Sequence, residues 1–304
     1  MLNYTRPRFL PLLFMLLAAS ADGQVAAPRA TTVETVQFES KLIGEKLPYS
    51  VALPADYKQH ASQQTRYPVL YLLHGLTGHY TDWLSRTKLV EYAAQHRVIV
   101  VTPEGNDSWY TDSASVPNEK YETYIVRELI PEVQKRFRTI ESREGRTIAG
   151  LSMGGYGALK FGMKYPEMFV FAASMSGALE ATLLDPEDSQ TSAWVKPSIA
   201  RAYGKIDNPV RAANDVFKII RELPAERVAA LPYVYFDCGT EDFLIEANRR
   251  LAALLLQRKI PHEYRQLPGK HDWPYWDRQV REVLRIAAQK MTPAQAAASA
   301  HAAK

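Results

Sequence analysis

Apolar positions along this chain follow two rhythms. Residues 31–40 (TTVETVQFES) and 47–54 (LPYSVALP) alternate apolar and polar, which predicts two antiparallel strands. Continuous apolar runs follow at 67–75 (YPVLYLLHG), 96–105 (HRVIVVTPEG), 145–150 (GRTIAG), 168–177 (MFVFAASMSG) and 231–240 (LPYVYFDCGT). Runs of this length, closed by glycine or proline, fit parallel strands covered on both faces. HEYRQL at 262–267 reads as one more strand. Between the strands, apolar residues recur at helical spacing over 89–96, 121–137, 154–166, 246–259 and 275–290. Strand alternates with helix almost throughout. The expected class is α/β, with a mostly parallel central sheet and helices on both faces.

The rhythm breaks between about 180 and 226, where prolines, acids and short helical pieces mix without a clear strand. We expect an insertion packed over the carboxyl edge of the sheet. The folded domain is expected to span 31–290, with a frayed alanine-rich tail at 291–304. The first 21 residues carry Arg6 and Arg8, then an apolar run (FLPLLFMLLAA), then the small-residue pattern Ala19-Ser20-Ala21. That is the layout of a secretory signal, with an uncleaved anchor as the competing reading. It predicts a periplasmic or secreted protein with no stable membrane insertion after cleavage. Residues 22–30 read as a linker.

Composition narrows the partners. The formal charge of the 304 residues is +4, and both signs are scattered. With no basic stripe and no binding motif, nucleic acid is not an expected partner. The single cysteine, Cys238, excludes an internal disulfide. It lies in an apolar run and reads as a buried structural thiol. No HExxH, no paired cysteine spacing and no phosphate-binding loop occurs, so no cofactor and no metal is expected. Oligomeric state is not legible.

One short stretch carries chemistry. Gly150-Leu151-Ser152-Met153-Gly154 lies where a predicted strand meets a predicted helix. It matches G-x-S-x-G, the nucleophile elbow. The turn is so sharp that the serine is strained, and the flanking glycines let strand and helix approach. A serine hydroxyl needs a base, and in such folds serine, acid and histidine follow in that order. Only His262, His271 and His301 come after Ser152. His301 lies in the tail and His262 in a strand. His271 lies in a loop past that strand, where open α/β sheets place their chemistry. The acid belongs to the loop after 231–240. Asp242 is the candidate, although it also suits a helix N-cap; Asp237 and Glu241 are its rivals. Backbone donors for an oxyanion are expected at Met153 and, from the loop His74-Gly75-Leu76-Thr77, at Leu76. His74 fits a loop brace.

These residues resemble a known family, the esterase D-like esterases. It includes tributyrin esterases, S-formylglutathione hydrolases and the antigen 85 mycolyltransferases. The resemblance rests on YLLHGLTGHYTDW, TPEGNDSWYTDS, GLSMGGYGALKFGMKYPEMF, YGKIDNP, DCGTEDFL and GKHDWPYW, spread over roughly 45–285. It implies an α/β-hydrolase fold, a Ser152, Asp242, His271 triad, and Leu76 and Met153 as oxyanion donors. SWYTD and the tryptophan two residues after His271 look more like the tributyrin esterase and antigen 85 types. Trp83, Trp109, Tyr110 and Trp273 fall in loops expected to ring the pocket, with ordinary loop packing as the alternative. Asp82 and Asp112 either contact polar substrate groups or cap turns. Asn106 opens a glycosylation sequon.

The expected function is a serine carboxylesterase acting on a small-molecule acyl or aryl ester through an acyl-enzyme on Ser152. The alternatives are an antigen 85-type acyltransferase using the same triad, a thioesterase of the S-formylglutathione hydrolase type, and a catalytically silent scaffold.

Overall fold

The apolar runs form strands whose side chains alternate between two cores. In β3 (Val69–Leu73), Val69, Tyr71 and Leu73 enter one core, while Leu70 and Leu72 enter the other. Every residue of that strand is buried. Such a run has no polar face because it has no wet face. The computed structural model describes residues 31–291. The readings of 1–21 as a signal and 22–30 as a linker lie outside the described residues.

The other strands are β1 (Thr32–Glu39), β2 (Lys46–Leu53), β4 (Ile99–Pro103), β5 (Arg146–Leu151), β6 (Phe171–Met175), β7 (Tyr233–Gly239) and β8 (His262–Leu267). They form one sheet in the order β1-β2-β4-β3-β5-β6-β7-β8. β1 pairs antiparallel with β2, and β2 antiparallel with β4. All later pairings are parallel.

The helices are α1 (Asp82–Arg86), α2 (Leu89–Ala94), α3 (Tyr121–Tyr124), α4 (Ile130–Arg136), α5 (Met153–Lys164), α6 (Lys196–Tyr203), α7 (Pro209–Asn214), α8 (Val216–Glu222), α9 (Ile245–Gln257) and α10 (Trp273–Lys290). The side chains of α1, α2 and α10 fill one core, and those of α3 to α6, α8 and α9 fill the other. Helices therefore cover both faces, as the α/β reading requires. Between β6 and β7 the chain makes three helices and two 3-10 turns.

Two local readings change. The helix expected over 121–137 is interrupted by a π-helical turn at Ile125–Leu129. Pro131 lies two residues past its end; its ring crowds the carbonyl four residues back, and it donates no hydrogen bond. Met291 is not frayed. It is buried in the core, with its sulfur 3.7 Å from the Thr147 hydroxyl.

An ion pair ties α5 to the loop after β4. Lys160 is fully buried. Its ammonium donates to the Tyr110 carbonyl and the Thr111 hydroxyl, both at 2.7 Å, and lies 3.0 Å from Glu122. Lys164 reaches the same carboxylate at 2.5 Å. Burial opposes charge on Glu122, but the two lysines hold its pKa down at about 2. Burial pulls Lys160 down to about 8. Glu122→Leu removes the carboxylate that keeps buried Lys160 charged, so the ammonium must either stay desolvated or give up its proton on folding. We expect urea unfolding to show a loss of about 3–5 kcal/mol; wild-type stability would mean that the carbonyl and hydroxyl contacts suffice.

Candidate active site

β5 ends at Leu151 and α5 begins at Met153, so the chain reverses at Ser152 alone. Ser152 sits at φ 51°, ψ −115°. For a residue with a Cβ this conformation is strained by about 1–3 kcal/mol. Its backbone is held on three sides. Its N–H donates to the Met175 carbonyl at 2.9 Å, and its own carbonyl accepts from Tyr156 (3.0 Å) and Ala178 (3.1 Å). The glycines of the motif are needed for space. A Cβ on Gly154 would stand 2.5 Å from the carbonyl oxygens of both Leu73 and His74, and one on Gly150 would run into the Gly154 peptide.

The three polar side chains singled out above meet here. His271 Nε2 lies 3.0 Å from Ser152 Oγ, and His271 Nδ1 lies 2.9 Å from Asp242 Oδ2. A carboxylate accepts only, so Nδ1 carries the proton and Nε2 is free to accept one from the serine. The Asp242 side chain is fully buried. Its other oxygen accepts from the Leu244 N–H at 2.9 Å, so one carboxylate both turns the chain into α9 and holds the imidazole. Burial opposes its ionisation. The bond to His271, the Leu244 amide and the Ser176 hydroxyl outweigh that and hold its pKa below the usual carboxylate value. His271 itself is fixed between the rings of Phe243 (centroids 4.7 Å) and Trp276 (4.9 Å).

The rivals point elsewhere. Asp237 is buried and accepts from the Tyr275 hydroxyl at 2.8 Å. Glu241 is exposed and faces Lys270 at 3.9 Å. His262 bonds the Ile260 carbonyl and stacks on Phe236. Cys238 is a buried free thiol, and burial pushes its pKa up.

Two clefts open from Ser152. One, of about 680 Å³, is lined by Trp109, Leu183, Leu184, Trp194, Val195 and Phe243, with Ser152 and His271 at its base. The other, of about 540 Å³, passes Gly78, Asp82, Arg86, Asp272 and Trp273. Leu76 lines both. Met153 opens α5, so its N–H has no partner within the helix. Among the described residues no group of three or more His, Cys, Asp or Glu is placed to hold a metal ion.

The four aromatic residues expected around the pocket divide. Trp109 and Trp273 line the two clefts. Trp83 and Tyr110 do not. Both are fully buried: Trp83 donates its indole N–H to the Leu73 carbonyl at 3.1 Å, and Tyr110 its hydroxyl to the His74 carbonyl at 3.1 Å. They brace the loop after β3 from below because its carbonyls need donors there. Asp82 reaches a cleft wall, whereas Asp112 caps the turn at Thr123. Sequence reasoning missed Trp194 and Phe243, which are 62% and 71% exposed at the cleft mouth. It also missed Ser176, whose hydroxyl accepts from the Trp276 indole at 3.2 Å. The first two lie in irregular segments with no periodic signal.

Fold and site together define the class, an α/β-hydrolase with serine chemistry at the carboxyl edge of its sheet. The profile of the family described as "Putative esterase" matches residues 40–285, and the chain belongs to that family. It is 31% identical over 251 residues to an acetyl esterase of Caldicellulosiruptor saccharolyticus, a match covering 81% of this chain and 94% of that protein. It is 32% identical over 257 residues to an esterase of Mycobacterium tuberculosis, covering 77% of this chain and 54% of the other. Among solved structures, a ferulic acid esterase superposes with TM-score 0.75 at 28% identity, covering 86% of this chain and 99% of that one. The chain is a carboxylic ester hydrolase.

The rejected acid gives a pH prediction. Burial pushes Asp237 up to about 7, against the pull of the Tyr275 hydroxyl. Its folded pKa lies above the unfolded value of about 3.9. This group's stabilising protonation is therefore lost as pH rises toward 7 and beyond. Asp237→Asn should raise Tm relative to wild type more at pH 8.5 than at pH 5.5. An equal effect at both pH values would place the Asp237 pKa outside that window.

Proposed function

We propose that Ser152 is the nucleophile of a serine carboxylesterase, with His271 as its general base and Asp242 holding the imidazole. The observation that carries this reading is the unbroken chain from Ser152 Oγ to His271 Nε2 (3.0 Å) and from His271 Nδ1 to Asp242 (2.9 Å). The hydroxyl attacks the ester carbonyl while His271 takes its proton. The Leu76 and Met153 N–H groups receive the developing oxyanion. His271 returns the proton to the departing alcohol. Water then attacks the acyl-enzyme with the same histidine as base, and the acid leaves.

Cleft chemistry supports an assignment of the two substrate halves. The cleft between Trp109, Leu183, Val195 and Phe243 is mostly apolar, with Asp185, Asp188 and Gln190 also on its wall, and suits the acyl or aryl group. The cleft past Asp82, Arg86, Asp272 and Trp273 suits the alcohol, which those polar groups contact. The names of the similar proteins, acetyl esterase and ferulic acid esterase, agree with small acyl and aryl esters. We also propose export to the periplasm or medium, supported by the charged, apolar and small-residue order of 1–21.

Steady-state hydrolysis of p-nitrophenyl acetate, butyrate and decanoate tests the reading. kcat/KM should rise from acetate to butyrate, because the acyl cleft is mostly apolar. Ser152→Ala should lower kcat by roughly 10⁵-fold or more and Asp242→Asn by about 10⁴-fold. Undiminished turnover in Ser152→Ala would sink the assignment. A product acylated on added glycerol instead of free acid would make the protein a transferase.

A further inference from the structure

We infer that His74 and Glu104 form a positioning pair that aims the Leu76 N–H at the reacting carbonyl; this rests on the assignment of Leu76 as an oxyanion donor. In the chain leaving β3, three successive carbonyls, of Leu73, His74 and Gly75, are engaged. The Leu73 carbonyl accepts from Trp83, and the His74 carbonyl from Tyr110. The Gly75 carbonyl lies 2.8 Å from His74 Nδ1 and also accepts from the Gly78 N–H at 3.0 Å.

That last carbonyl decides a direction. No peptide bond here is cis. In a trans peptide the C=O and the N–H point opposite ways. Holding the Gly75 oxygen on the inner side therefore turns the Leu76 N–H outward, to the side where Leu76 and Ser152 share both clefts. A carbonyl only accepts, so Nδ1 of His74 carries a proton. Nε2 faces both the Gly105 N–H, 2.9 Å away, and Glu104 Oε1, 3.2 Å away.

Glu104 fixes the histidine in turn. Its Oε1 accepts from the N–H groups of Gly105 (3.1 Å) and Asn106 (3.0 Å), so it holds the very amide that meets His74 Nε2. Its Oε2 lies 3.3 Å from His79 Nδ1 and accepts from the Tyr80 N–H at 3.4 Å, beyond the far end of the same loop. Both side chains are almost wholly buried. Thr77, the residue after the donor, is held at φ 62° by Asp107, which accepts from its N–H at 2.6 Å. The donor's peptide is thus clamped before and after it. Neither His74 nor Glu104 touches Ser152, His271 or Asp242, so their effect runs through the backbone.

The test compares His74→Phe, which keeps the ring but not the donor, with His74→Asn, whose amide nitrogen takes the place of Nδ1. The substrate is p-nitrophenyl butyrate. The inhibitor is an alkyl trifluoromethyl ketone, whose serine adduct carries an oxyanion. Folding is checked by near-UV circular dichroism. His74→Phe should lower kcat roughly tenfold to a hundredfold with KM within about twofold, and weaken the ketone by the same factor. His74→Asn should recover most of both. Glu104→Gln should move kcat and ketone affinity in the same direction as His74→Phe, and it decides the matter if His74→Phe does not fold. Wild-type kcat and ketone affinity in the folded variants would overturn the pairing, as would an Asn variant no better than Phe. A ketone bound equally by wild type and Ser152→Ala would instead overturn the Ser152 reading itself.

Discussion

The turn from β5 into α5 is completed in a single residue, and the rest of the site is arranged around that constraint. Ser152 takes φ 51° because a gentler turn would carry α5 away from the sheet. The turn brings the start of α5 so close to the loop after β3 that only glycine fits at 154. It also lifts the serine oxygen to the carboxyl edge, within 3.0 Å of His271. Strain of this size persists only where neighbours over-determine the backbone. Three backbone hydrogen bonds to Ser152 do that here. Among the described residues, six of the seven non-glycine residues with positive φ (Thr77, Asn106, Trp109, Tyr110, Ser152 and Ser176) lie in the loops at this edge. Strain is concentrated where geometry matters, and the two apolar cores supply the stability that tolerates it.

The loop after β3 shows how such geometry is made rigid without regular structure. Its carbonyls face inward, where unpaired acceptors would each destabilise the fold by about 1–3 kcal/mol. Side chains from α1, the loop after β4 and the loop's own His74 supply the donors. Packing alone would centre this loop loosely. Directional bonds set the tilt of each peptide.

Much of this was legible in the chain. The runs at 67–75 and 145–150 read as buried strands because both of their faces are covered, which removes the polar half of the pattern. That Ser152, His271 and Asp242 come together was legible because chain order and loop placement eliminate nearly every rival. Trp83 and Tyr110 were misread for a physical reason. A loop aromatic next to a site looks the same in sequence whether it lines the cavity or lies under the loop, and here both lie underneath as donors. The break at Ile125–Leu129 was hidden because Pro131 sits where helical spacing continues on either side. Trp194 and Phe243 were invisible, since irregular segments carry no periodicity from which a direction follows.

That blind spot has a structural meaning. Residues 183–195 supply much of the larger cleft wall, apolar at Leu183, Leu184, Trp194 and Val195 and polar between them. Among the described residues, none of them hydrogen-bonds to Ser152, Asp242 or His271. Ser152, Asp242 and His271 stand instead on the connections just past β5, β7 and β8, strands paired in parallel register. The segment between β6 and β7 therefore shapes one cleft wall without touching the hydrogen-bonded chain of Ser152, His271 and Asp242. Trp83 and Tyr110, under the loop after β3, do the reverse: they line neither cleft and donate to the backbone carbonyls of Leu73 and His74. The cleft wall and the Ser152–His271–Asp242 chain thus belong to different elements of one sheet edge, and only the second leaves a motif.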